Sequence, residues 1–243
     1  MTNGKFNKNL ALYLLKICKL TYDQFDHDGS FSIPNNAKVL KVFKAKSFDS
    51  LEWFGFILEK DDSVITAFRG TDSDPDWISD AEVFQSSFPY STDKKLLVHD
   101  GFLSIYQSCR DEILKSYSTV SKNNKKLFIT GHSLGAAIAT LHALDTAMNT
   151  DFKDVNVINF ASPRVGNQEF ANNYNQLINK STRFVNQDDI IPLLPPEKIQ
   201  CPFTKKDWKY SHVDSPLNFR IQTGSLAGNH ALTTYKEGVK LLD

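Results

Sequence analysis

Leu127-Phe128-Ile129-Thr130-Gly131-His132-Ser133-Leu134-Gly135-Ala136-Ala137 is the stretch on which the fold turns. Its first four residues read as a short apolar strand, and 134 to about 148, rich in Ala and Leu, reads as a helix. Between them stands G-x-S-x-G, with a strand before it and a helix after it. So sharp a turn forces strained dihedrals on Ser133 and brings backbone close on both sides, which accounts for a glycine two residues either way. The turn lifts the Ser133 hydroxyl above the sheet at the helix N-terminus. There the free backbone N–H groups, that of Leu134 among them, can meet a developing negative charge.

Outward from this segment the pattern alternates. Strands are predicted at 39–43, 53–58 and 64–68, the last two joined as a hairpin at Asp61-Asp62. A helix follows from 101 to about 117, then the strand at 127–130 and the helix from 134. A strand at 155–161, a helix around 170–177 and a strand at 182–186 complete the series. Strands alternating with helices imply βαβ units and a mostly parallel sheet flanked by helices, an α/β class with antiparallel pairing near the start. No repeat or low-complexity linker divides the chain, so 1–243 is expected to form a single domain.

Composition removes several classes of function. Lys plus Arg and Asp plus Glu each number 28, and this zero net charge argues against a nucleic-acid partner or a polybasic membrane-surface protein. The three cysteines, Cys18, Cys109 and Cys201, are odd in number and far apart, neither a disulfide framework nor a zinc site. No stretch approaches the ~20 apolar residues of a transmembrane helix. The run Leu10-Ala11-Leu12-Tyr13-Leu14-Leu15 is broken by Lys16 and Lys19 and reads as an amphipathic helix rather than a leader. The expected compartment is therefore the cytoplasm, although a chain that had lost a leader would look the same.

A serine hydroxyl becomes a useful nucleophile when a histidine takes its proton and an acid orients that histidine, in the chain order Ser, acid, His for this kind of turn. After Ser133 the histidines are His142, His212 and His230. His142 lies inside the helix that starts at Leu134 and faces away from the strand ends. The acids after strand 182–186 are Asp188 and Asp189, at the carboxyl end where ligand sites lie in parallel sheets.

Taken together, these segments resemble the class 3 lipase family, the fungal-type triacylglycerol lipases on the α/β-hydrolase fold. The resemblance runs from about Trp53 to Tyr235. It rests on Ala67-Phe68-Arg69-Gly70-Thr71, Val98-His99-Asp100-Gly101-Phe102 with Tyr106, and the G-H-S-L-G turn. Phe160-Ala161-Ser162-Pro163-Arg164-Val165-Gly166-Asn167, Val185-Asn186-Gln187-Asp188-Asp189-Ile190-Ile191-Pro192, and His230 with Tyr235 complete it. The resemblance implies Ser133 as nucleophile, Asp189 rather than Asp188 as the acid, and His230, opening the final helix, rather than His212 as the base. It implies an oxyanion hole from Leu134 and Thr71. No metal or other cofactor is called for. The loop 192–196 would wall one side of the acyl site.

The same resemblance places a lid at 72–90, after the first oxyanion strand, with Trp77, Ile78, Val83 and Phe84 on its apolar face. Asp72, Asp74, Asp76, Asp80 and Glu82 make that cover acidic, which disfavours anionic interfaces and suits smaller or more soluble esters. The run of alternate aspartates lacks the glycine and glutamate of a calcium loop. The implied partner is a lipid or other ester, met in solution or at a lipid–water interface. Phospholipase A1 and feruloyl or short-chain esterase are alternatives using the same residues. A non-catalytic ligand-binding relative is the alternative of another class.

Overall fold

The computed structural model describes residues 6–47, 50–71, 84–120, 125–200, 205 and 207–242. Helix α1 (Lys8–Asp26) opens the chain, capped by the Asn7 side chain accepting from the Leu10 N–H at 3.0 Å. Strands β1 (Lys38–Ser47), β2 (Ser50–Lys60) and β3 (Ser63–Phe68) follow. A short pair, β4 (Gln85–Ser87) and β5 (Leu97–His99), leads into α2 (Asp100–Tyr117). Then come β6 (Lys126–His132), α3 (Leu134–Asn149), β7 (Val155–Phe160), α4 (Gln168–Leu177) and β8 (Lys180–Asn186). The pair β9 (Lys198–Gln200) and β10 (Asp207–Lys209), strand β11 (Pro216–Phe219), and helices α5 (Leu226–His230) and α6 (Leu232–Leu241) finish it.

Seven strands form one mixed sheet in the order β1-β2-β3-β6-β7-β8-β11. The β1–β2 and β2–β3 pairs are antiparallel, and every pair from β3 to β11 is parallel. This is the α/β architecture that the alternating pattern predicts. Strand periodicity sorts the core into two layers. Val64 and Phe68 of β3, with Leu127 and Ile129 of β6, pack under α2 and α3, whereas Ile65 and Ala67 pack under α1 and α6. Sheet strands covered on both faces are apolar almost throughout, which is why 64–68 and 127–130 read as continuous runs.

Helix α3 is buried from Leu134 to Thr146. Its polar residues meet partners from α2 and β3. The His142 ring lies between the hydroxyls of Tyr106, 3.1 Å from Nδ1, and Tyr117, 2.7 Å from Nε2. Asp145 accepts from Tyr106 and from the Arg110 guanidinium, with Asn149 donating at 2.7 Å. His142 therefore faces this buried cluster and not the strand ends.

Burial pushes His142 and His99 down to about 4, against about 6.5 for an exposed histidine. Both are neutral in the folded chain and protonate in the unfolded one, so unfolding takes up protons below pH 6.5. Stability should fall as pH drops from about 6.5 toward 4, by about 2 kcal/mol per histidine at pH 5 relative to pH 7. Urea unfolding at the two pH values checks this. An equal midpoint at both would contradict it.

Candidate active site

Ser133 stands between β6 and α3 with φ 58° and ψ −127°, a conformation that L-residues rarely adopt. Its amide is held by the Phe160 carbonyl of β7 at 3.0 Å, and its carbonyl takes the Ala136 N–H at 2.9 Å. Its side chain makes no capping bond to α3 and so is not spent on the helix. The flanking glycines are dictated by contact. A Cβ on Gly131 would lie 2.2 Å from the Gly135 carbonyl oxygen, and one on Gly135 would lie 2.3 Å from that of Phe68. The turn is thus wedged between its own helix and the end of β3.

That end of β3 carries Arg69-Gly70-Thr71. Phe68 pairs in register with Gly131, so Thr71 and Ser133 leave neighbouring parallel strands at the same edge. Arg69 is buried and anchors this exit, donating to the Trp53 carbonyl at 3.0 Å and to Glu52 at 2.6 Å. Phe25 of α1 lies 3.9 Å beneath the guanidinium. Leu134, the first residue of α3, has one of the four amides that a helix start leaves without an intrahelical acceptor.

The acid and the histidine come from the loops after β8 and at the end of α5. His230 Nδ1 lies 2.8 Å from Asp189 Oδ2. The same oxygen accepts from the Tyr235 hydroxyl at 2.7 Å, and Oδ1 accepts from the Ile191 N–H at 3.0 Å. Asp189 is buried, so these three donors satisfy a carboxylate that water does not reach. Burial and the adjacent Asp189 charge push the Tyr235 phenol well above its ordinary value, which makes it a donor. With Nδ1–H committed to the carboxylate, His230 Nε2 is the ring nitrogen left with a lone pair, as a general base requires.

Two buried asparagines hold these loops together. Asn186 donates to the carbonyls of Ile221 and Asn229, both at 2.9 Å, and accepts from the Ile221 N–H at 3.0 Å. Asn229 donates to the Asp188 carbonyl at 2.9 Å and accepts from Thr223. Asp188 itself pairs with Arg220 at 3.1 Å, so it is a half-buried salt-bridge partner rather than a wholly solvated neighbour. His212 donates to the Pro192 carbonyl at 2.7 Å, a bracing contact on the loop after Asp189.

The structure therefore brings Asp189 and His230 into contact and sets Ser133, Leu134 and Thr71 at one sheet edge. His230 closes the short helix α5 instead of opening the final one, which begins at Leu232. Phe84 is exposed just before β4, its ring 6.4 Å from that of Trp208. Trp77, Ile78 and Val83, with the acids of 72–82, lie outside the described residues. Among the described residues, no three His, Cys, Asp or Glu side chains cluster to hold a metal, and no helix is long and apolar enough to cross a membrane.

A G-x-S-x-G turn on a mixed, mostly parallel sheet, with the acid on a later loop and the histidine ending a later short helix, defines an α/β-hydrolase. The chain belongs to the class 3 lipase family, whose profile matches residues 65–199. A secreted mono- and diacylglycerol lipase A of Penicillium cyclopium is 36% identical over 68% of this chain and 52% of its own. A chloroplastic phospholipase A1, DAD1 of Arabidopsis thaliana, is 30% identical over 71% of this chain and 48% of its own. Among solved structures, the Rhizomucor miehei lipase propeptide complex superposes with a TM-score of 0.71. It is 25% identical, with coverage of 90% of this chain and 69% of that one. The chain thus spans about half the length of the curated relatives.

The backbone strain at Ser133 is worth about 1–3 kcal/mol and a glycine would release it. Ser133→Gly is expected to unfold at higher urea, by about 1 kcal/mol, while losing any nucleophile. A Ser133→Gly variant less stable than the parent would contradict the strain.

Proposed function

We propose that the chain is a serine carboxylic-ester hydrolase that cleaves acylglycerol-type lipid esters through an acyl-enzyme on Ser133. The observation that carries this reading is the Asp189–His230 contact alongside a strained Ser133 turn, in a chain of the class 3 lipase family. Ser133 Oγ attacks the ester carbonyl while its proton passes to His230 Nε2, and Asp189 stabilises the resulting imidazolium. The tetrahedral oxyanion sits between the Leu134 N–H and Thr71, through its backbone N–H and hydroxyl. Collapse breaks the ester C–O bond, and the departing alcohol takes the proton from His230. Water then attacks the acyl-enzyme, giving its proton to His230, and releases the acid and Ser133.

The mono- and diacylglycerol lipase among the relatives supports the acylglycerol substrate. The Arabidopsis relative supports a second reading, phospholipase A1 action by the same residues. A p-nitrophenyl ester series from acetyl to palmitoyl, with and without micelles, tests the chemistry. Fatty-acid release from diacylglycerol against phosphatidylcholine separates the two substrates. Turnover should vanish in Ser133→Ala. A parent chain inactive on every ester and lipid would overturn the hydrolase reading.

Thr71→Val keeps shape and removes one hydroxyl. The expected loss is about 10²–10³ in kcat. An undiminished kcat would remove the Thr71 hydroxyl from the oxyanion hole.

A further inference from the structure

The residue between Gly131 and Ser133 is itself a histidine. His132 is buried, and its two ring nitrogens have partners from opposite ends of the chain. Nε2 lies 2.9 Å from the backbone carbonyl oxygen of His230. Nδ1 lies 2.8 Å from the hydroxyl of Tyr22, on α1. A carbonyl oxygen can only accept, so Nε2 carries the proton and donates. In the neutral ring Nδ1 is then the acceptor, and Tyr22 must be the donor to it.

The ring also touches the candidate base directly. The His132 and His230 rings lie 4.6 Å apart between centroids, at 34°, and Tyr235 lies edge-on to His132 at 5.8 Å. Protonating His132 would place a second positive charge beside the imidazolium that His230 becomes during turnover. Burial, and next the neighbouring His230, hold His132 well below the ordinary histidine value, so it stays a neutral donor–acceptor. Tyr22 itself sits against the oxyanion strand exit, where a Cβ on Gly70 would lie 2.1 Å from its hydroxyl.

We propose that Tyr22 and His132 are a positioning pair: the Tyr22 hydroxyl fixes His132 in its Nε2–H tautomer, and that N–H anchors the main chain of His230. The base is then held at two points, its ring by Asp189 and its backbone by His132. Neither residue touches the ester; both act through His230. Anchoring of this kind resembles the outer partners that orient functional histidines at other sites. It also gives helix α1 a part in the site, through one hydroxyl.

The catalytic consequence rests on the ester-hydrolase reading, while the tautomer does not, and two measurements separate them. The first is kcat and KM on p-nitrophenyl butyrate, with active sites counted by a fluorophosphonate so that misfolded protein is excluded. Tyr22→Phe should lower kcat about fivefold to tenfold with KM unchanged, the effect of one neutral hydrogen bond. His132→Leu should lose more. His132→Gln, which keeps an N–H at the position of Nε2, should recover to within about threefold of the parent. Tyr22→Phe combined with His132→Leu should be no worse than His132→Leu alone, because Tyr22 reaches the base through His132.

The second measurement is nitrogen NMR of the histidine-labelled chain, which needs no turnover. The parent should show His132 as the Nε2–H tautomer, and Tyr22→Phe should shift both its Nδ1 signal and the His230 ring signals. Additive losses in the double variant, or His132→Gln as impaired as His132→Leu, would overturn the pair. So would a Tyr22→Phe variant with unaltered kcat and His230 signals. A parent chain inert on every ester sinks the hydrolase reading instead, and the nitrogen spectra alone then decide the pair.

Discussion

The approach of helix α3 to strands β3 and β6 is the constraint from which the rest of the site follows. At Gly131 and Gly135 the helix start and the two strand ends are closer than any side chain permits. Because β3 and β6 are parallel and paired Phe68 to Gly131, this contact fixes two things at once. It drives Ser133 into its strained turn, and it sets the Arg69–Thr71 exit beside the first amides of α3. The proposed nucleophile and oxyanion donors need a shared origin more than they need individual strength, since an error of about 1 Å can cost 10²-fold. The rigid helix-on-sheet contact supplies that origin.

The acid and the histidine have no such element under them, and hydrogen bonding takes over from packing. Asn186 and Asn229 tie the segments after β8, after β11 and at α5 into one unit. An asparagine is suited to this because it both donates and accepts; an aspartate in either place could not donate to the carbonyls. Asp189 receives donors on both oxygens, so its burial carries no unsatisfied acceptor. The buried cluster of Tyr106, Tyr117, His142 and Asp145 solves the same problem beneath α3. There both ring nitrogens of His142 are engaged by tyrosine hydroxyls, as in a satisfied core histidine.

What was legible in the sequence follows from the range of the forces involved. The strands at 64–68 and 127–130 and the helix from Leu134 are local patterns, and the structure extends them by only a residue or two. The turn at Ser133 was readable because its motif constrains backbone near the residue itself, whereas the choice of Asp189 and His230 came from the resemblance, and the structure brings those two side chains into contact. The mismatch lies where long-range pairing decides. Strand β11 is four residues set by its parallel register with β8 and by Phe219 packing edge-on against Tyr235, and its sequence has no apolar run to announce it. The break between α5 and α6 at Ala231, with ψ 143°, follows from α6 docking on the core and not from any Pro or Gly at that point. Tyr22 gave no signal at all, since nothing in an amphipathic helix tells one half-buried tyrosine from another.

The family match ends at residue 199, yet His230 and Tyr235 lie past it and Tyr22 lies before residue 65, where it begins. Both ends of the chain therefore return to one turn in its middle. Helices α1 and α6 share one face of the sheet, where Leu14, Leu15 and Cys18 meet Tyr235 and Val239 in a common core. Cys18 touches Thr130 of β6, one helical turn from Tyr22, so the same helix that seals the core delivers the hydroxyl to His132. Tyr235 does the equivalent from α6, packing its ring in that core and placing its hydroxyl on Asp189. Each terminal helix thus spends apolar area on stability and a single phenol on orientation. Because the phenols are fixed by the burial of their own helices, the orientation of His230 is coupled to the packing of both chain ends.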